Sequence, residues 1–87
     1  MKIASRGTEK FWRLYRQLPA EVKLVARKNY RLWQDNAFHP SLHFKPIGRP
    51  NWSVRVGDHY RAIGRFVDDG FIWQWIGSHA EYDREFG

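Results

Sequence analysis

Trp52–Asp83 reads WSVRVGDHYRAIGRFVDDGFIWQWIGSHAEYD, and the spacing of its apolar residues decides the fold. Trp52, Val54 and Val56 alternate with Ser53 and Arg55, the period-two pattern of a half-buried strand. Gly57-Asp58 supplies turn chemistry. Alternation resumes over Tyr60–Val67. Tyr60, Ala62, Gly64 and Phe66 fall on one face, and Arg61, Ile63, Arg65 and Val67 on the other. Asp68-Asp69-Gly70 makes a second hairpin turn. Phe71–Ile76 is apolar on both faces and predicts a central strand covered on each side. Ser78-His79-Ala80-Glu81 has the spacing of a capping box and opens a short terminal helix.

Upstream, the period changes. Met1–Arg6 suits an edge strand or a lead-in. Thr8 is an N-cap residue, and Phe11, Leu14, Tyr15 and Leu18 follow at spacings of three and four. Pro19 breaks that helix and fits the first turn of another. Across Pro19–Asn36, Val22, Val25, Ala26, Leu32 and Trp33 form the expected apolar stripe. Phe38–Pro50 carries Pro40, Pro46, Gly48 and Pro50 and reads as loop around one short strand, Leu42–Lys45. The expectation is a single α+β domain over residues 1–87. An N-terminal strand and a two-helix hairpin pack on a twisted antiparallel sheet of about four strands, with a short C-terminal helix. The sheet's uncovered face is expected to present Arg55 and Arg61.

Composition narrows the class. Eighty-seven residues support one small core, and 43% apolar content with 5 Trp, 4 Tyr and 6 Phe argues against disorder. Cysteine is absent, so neither disulfides nor thiolate metal sites contribute, and a reducing cytoplasm is the expected compartment. No stretch reads as a signal peptide or a membrane span. The net charge of +6 is unevenly placed: residues 1–34 carry +7 and residues 35–87 carry −1. A cationic surface attracts polyanions before specific contacts form, although two solvated helical faces account for such an excess equally well.

The arginines of the second half need their own explanation. Arg55 and Arg61 flank one turn and share a face, within side-chain reach across the hairpin. Either an anion joins them, for which the guanidinium fork suits phosphate, or each pairs with a carboxylate such as Asp58 or Asp83. Arg65 lies four residues beyond Arg61, roughly 13 Å along the strand, and extends the cationic track or is simply solvated. His79 and Tyr82 are three apart and share a side of a helical turn. Imidazole both takes and gives a proton near neutrality, and a phenol donates a hydrogen bond or stacks on a base. The alternative is that His79 caps the strand end and Tyr82 packs under the sheet. His39 and His43 are four apart, but Pro40 between them forbids the helix a metal pair requires. His43 and Lys45 are expected on one strand face, at the cationic rim. Trp73 and Trp75 are read as core in preference to a base-stacking platform.

With these residues in view, W-S-V-R-V-G-D-H-Y-R-A-I-G, the apolar strand and W-I-G-S-H-A-E-Y-D resemble the RelE/ParE superfamily of toxins from bacterial type II toxin–antitoxin systems. The resemblance runs over nearly the whole chain, since two N-terminal helices before a meander are also that family's order. It implies a RelE-like fold. Members of the RelE branch are ribosome-dependent endoribonucleases (mRNA interferases) that cut mRNA in the A site without a metal or cofactor, leaving a 2′,3′-cyclic phosphate. Carried over by position, the resemblance implies that Arg55 and Arg61 bind the scissile phosphate. His79 would be the general acid or base, and Tyr82 would stack on or orient the mRNA. Lys45, Arg65, Arg27, Lys28 and Arg31 would be the further RNA-binding cations. Ser53 stands where strongly active relatives often carry lysine. The ParE branch shares the fold and poisons DNA gyrase. A binding module that has lost cleavage is a third possibility. The implied partners are the ribosome with its mRNA, or gyrase, and a cognate antitoxin that lays a helix or extended segment over the cationic surface. No membrane is implied.

Overall fold

The computed structural model describes residues 3–87. The elements in order are β1 (Ser5–Gly7), α1 (Glu9–Arg16), α2 (Ala20–Asp35), a 3-10 turn (Pro40–Leu42), β2 (Lys45–Gly48), β3 (Asn51–Val56), β4 (Tyr60–Val67), β5 (Gly70–Ser78) and α3 (His79–Phe86). Among the described residues the five strands make one sheet in the order β1-β5-β4-β3-β2. The expected α+β architecture is present. β2 through β5 form the antiparallel meander, while β1 pairs parallel with β5, which makes the sheet mixed. Met1 and Lys2, part of the expected first segment, lie outside the described residues.

Local chemistry sets the helix ends. The Thr8 hydroxyl accepts the Phe11 N–H, as an N-cap should. Pro19 stands just before α2 rather than inside its first turn, and its carbonyl accepts the N–H groups of Val22 and Lys23. The expected stripe on α2 is corrected at Val25, which is 37% exposed. Tyr30 takes the inward place, and its hydroxyl lies 2.7 Å from Ser5 Oγ, tying α2 to β1. Trp33, 1% exposed, is the centre of the core. Phe71, Trp73 and Phe44 all pack against its ring.

The short strand expected at Leu42–Lys45 is also corrected. His39 Nδ1 accepts the Ser41 N–H, Pro40 opens a 3-10 turn, and His43 takes a left-handed φ of 47°. The turn drives Leu42 into the core, and extended backbone begins only at Lys45.

One irregularity shapes the sheet. Pairing between β4 and β5 jumps from Ile63↔Trp75 to Gly64↔Trp73, leaving Gln74 as a bulge residue. Without it, Trp73 and Trp75 would share a face. With it, Trp73 packs on Trp33 and Trp75 packs on Phe86 of α3, 5.2 Å between ring centroids. The sheet therefore has a main core beneath α1 and α2 and a smaller one beneath α3. The face expected to be uncovered is partly closed: Ser53, Ile63 and Trp75 on it are all buried. An apolar cleft of about 370 Å³ remains between the helical hairpin and the sheet. Of the candidate residues, only Arg27 lines it.

Candidate functional site

β3 and β4 are joined through Gly57–His59, with Gly57 at φ 65°, a left-handed conformation that glycine adopts without steric cost. That turn sets Arg55 directly opposite Arg61. The face expected for both arginines is the face they occupy. The next rung toward the sheet's far end is Lys45–Ser53–Ile63–Trp75, and beyond it lies Asn51–Arg65–Ile72. Cross-strand partners share a face, so Lys45 and Arg65 belong to the side that bears Arg61. Both are exposed.

α3 brings the remaining pair. The His79 N–H donates to the His59 carbonyl at 2.7 Å, which pins the start of α3 to the β3–β4 turn. Ser78 and Glu81 form the expected capping box: Ser78 Oγ accepts the Glu81 N–H at 3.2 Å, and Glu81 Oε1 accepts the Ser78 N–H at 2.8 Å. The hydrogen bond from the Ser78 backbone, then that from its side chain, holds the Glu81 carboxyl below its ordinary value of 4.5. The His79 and Tyr82 rings lie 6.0 Å apart, and the Arg61 guanidinium carbon is 5.3 Å from the Tyr82 ring centroid. Tyr82 is thus a cation–π partner of Arg61.

The two arginines differ in their company. Arg55 forms an ion pair with Asp58 at 3.0 Å, donates from Nε to the Gly57 carbonyl, and lies 3.4 Å from His43 Nε2. For Arg55 the carboxylate alternative is the one present. His43 reaches this rim through its left-handed turn rather than from a strand face. Arg61 has no ion-pair partner among the described residues. Its Nη1 lies 3.4 Å from Ser53 Oγ, and its buried Nε has no acceptor among them. His79 Nδ1 is 3.2 Å from Asp83 Oδ2, one helical turn on. With Nδ1 engaged, Nε2 is the ring nitrogen left for another partner.

Arg55, Arg61, His79 and Tyr82 thus lie at one corner, where the β3–β4 turn meets the start of α3. Arg27, Lys28 and Arg31 do not join them. They are exposed on α2, which packs on the opposite side of the sheet from α3. Two residues named in the sequence reading take partners it did not give them. Ser53 anchors Arg61, and alternation marked its face but not its burial under the guanidinium. Asp83 pairs with His79, and the i,i+4 spacing signalled it. Among the described residues no group of three or more His, Asp or Glu side chains could hold a metal ion.

A family model for the ParE-like toxin domain matches residues 20–84. No curated protein matches the chain. Solved structures do. The toxin–antitoxin complex RelB–RelE from Methanococcus jannaschii is 17% identical, covering 93% of this chain and 98% of that one at a TM-score of 0.73. The RelBE2 complex from Mycobacterium tuberculosis is 19% identical, covering 91% and 100% at 0.70. The DinJ–YafQ complex from E. coli is 13% identical, covering 100% of both chains at 0.73. At these identities the likeness is one of fold.

Proposed function

We propose, because the chain belongs to the ParE-like toxin domain family, that it acts as a toxin by cutting mRNA on the ribosome. Membership of the RelE/ParE superfamily carries the toxin fold; cleavage is the step beyond it. The observation that supports cleavage is the corner where Arg61 lies against Tyr82, with His79 beside that ring and Arg55 across the hairpin.

In this reading the mRNA phosphodiester lies against Arg61 and draws Arg55 away from Asp58. That exchange is cheap. The Arg55–Asp58 pair is exposed, with 80% of the Asp58 side chain in solvent, and exposed pairs contribute about 0–1 kcal/mol. A base removes the 2′-OH proton, and the 2′-oxygen bonds to phosphorus. The bond from phosphorus to the 5′-oxygen breaks, and an acid protonates that oxygen. The products are a 2′,3′-cyclic phosphate and a 5′-hydroxyl. His79 Nε2 serves one of the two proton transfers, and the guanidiniums offset charge building on the phosphorane. Tyr82 holds Arg61 from one side and offers its ring edge to the substrate. Arg65 and Lys45 continue the cationic track along the same face.

The family's name favours one second reading, gyrase poisoning as in the ParE branch. Both readings take a cognate antitoxin as partner, in keeping with relatives solved as toxin–antitoxin complexes. Induction in a bacterial host, followed by transcript 5′-end mapping, separates them. The nuclease reading expects cuts in ribosome-bound mRNA that fall by roughly 100-fold or more in Arg61→Ala and His79→Ala. Growth arrest with intact transcripts and an SOS response would overturn it in favour of gyrase.

A further inference from the structure

On the α3 side of the sheet, one rung past Arg61, lies an open hollow of about 420 Å³. Half-buried Phe86, over the buried Ile63 and Trp75, supplies its apolar wall, and Thr8, Lys10, Asn51 and Gln74 its polar groups. Neither the Asn51 nor the Gln74 carboxamide forms a side-chain hydrogen bond among the described residues. Gln74 is the bulge residue of β5, and bulges next to active sites commonly re-aim a side chain. Here the extra residue also turns Trp75 toward the hollow's wall. Two unengaged carboxamides beside an apolar wall form a surface that reads hydrogen-bonding edges and covers a flat ring.

The position of the hollow says which ring. Ile63 is two residues from Arg61 and two from Arg65, so the hollow is bracketed by guanidiniums roughly 13 Å apart along β4. A strand of RNA with one phosphate at Arg61 and another near Arg65 carries a base over the ground between them. Lys10 adds a cation on the far side. Single-stranded RNA is read by splaying bases against apolar rings and bonding their edges, and Asn and Gln serve as bidentate readers.

We propose that this hollow is a nucleobase subsite for the nucleotide beside the scissile phosphate, with Asn51 and Gln74 selecting the base by its edge. The proposal rests on the nuclease reading for its register and on the hollow's own chemistry for its ligand. The wall disfavours a charged ligand at its centre, and the carboxamides have no use for a purely apolar one.

Two measurements test it. Transcript 5′-end mapping would compare the wild type with Asn51→Ala and Gln74→Ala. The base preference at the nucleotide beside the cut, read as the ratio of cuts at different bases, should fall by about 10-fold or more. Asn51→Asp and Gln74→Glu, which keep side-chain shape, stand in if the alanine variants fail to fold. Separately, the wild-type chain would be titrated with dinucleoside monophosphates of different bases, following the Asn51 and Gln74 side-chain amide signals by NMR. Those signals should move by amounts that depend on the base. Base-dependent shifts without any mRNA cleavage would support the subsite and remove the nuclease reading. Cleavage with unchanged base preference in folded variants, or amide signals silent to every dinucleotide, would overturn the subsite.

Discussion

Arg55 and Arg61 are chemically alike and structurally unlike, and on the nuclease reading the difference decides how each would meet RNA. Arg61 is held by Ser53 and Tyr82 without a carboxylate, so its charge is available as it stands. Arg55 is engaged by Asp58, and a phosphate must displace that carboxylate. Asp58→Asn removes the competitor and one negative charge from the rim. RNA binding is expected to tighten by up to about fivefold at low salt, the equivalent of an exposed pair of about 1 kcal/mol, and the gain should shrink as salt rises. Fluorescence anisotropy with a labelled oligoribonucleotide reads this directly; unchanged affinity would mean that the pair with Asp58 does not hold Arg55 back from RNA. Gly64 is constrained differently. A Cβ there would run into the Phe71 ring and meet the Ile72 carbonyl oxygen at 2.5 Å. Backbone cannot swing aside as a side-chain tip does, so Gly64→Ala should cost about 3 kcal/mol in denaturant unfolding.

α3 connects the catalytic proposal to pH through its cap. Glu81 accepts the Ser78 N–H, and its pKa is lowered in the folded chain. A lowered folded value means that the ionised form stabilises the helix. That contribution is complete above the ordinary value of 4.5 and fades as pH falls through the lowered one. Acid should therefore loosen α3, and with it the contact between Tyr82 and Arg61. Glu81→Gln keeps an acceptor oxygen and does not titrate. Tryptophan emission from Trp75 beneath Phe86 should change below pH about 4.5 in the wild type, and this component should vanish in Glu81→Gln. The capping box itself was readable from Ser78 and Glu81, because its chemistry is confined to four consecutive residues. The same holds for the β3–β4 turn and the two helices. The bulge at Gln74 was not readable. Q-W-I and W-Q-W look alike in any register, and only the pairing with Ile63 and Gly64 shows where the extra residue falls. Missing it left the Arg61 face uncovered in the reading, although Trp75 turns onto it and packs on Phe86. The left-handed turn at His43 escaped for a related reason: His39 capping Pro40–Leu42 is a local side-chain bond that competes with strand pairing in a stretch without strong periodicity.

Charge is distributed over the molecule on two sides of one sheet. The candidate corner, with Arg65 and Lys45, lies on the α3 side, while Arg27, Lys28 and Arg31 are exposed on α2 across the sheet. A single short RNA segment in the corner does not lie along both. If the α2 cations serve RNA, they serve a different part of a large polyanion, which on the ribosome means ribosomal RNA rather than the reacting mRNA phosphate. The two groups should then separate kinetically. Replacing Arg27, Lys28 and Arg31 together by glutamine removes three exposed positive charges and no core residue. Association with ribosomes should weaken, and the slope of log K against log salt should flatten by about two units. In cleavage assays kcat/KM should fall while kcat at saturating ribosome stays near wild type, because the groups around the phosphate are unchanged. A matching loss in kcat would place these cations in the reacting complex and contradict the division of labour between the two faces. An unchanged salt slope would mean that the helical charges are solvated surface and that the corner alone carries the affinity.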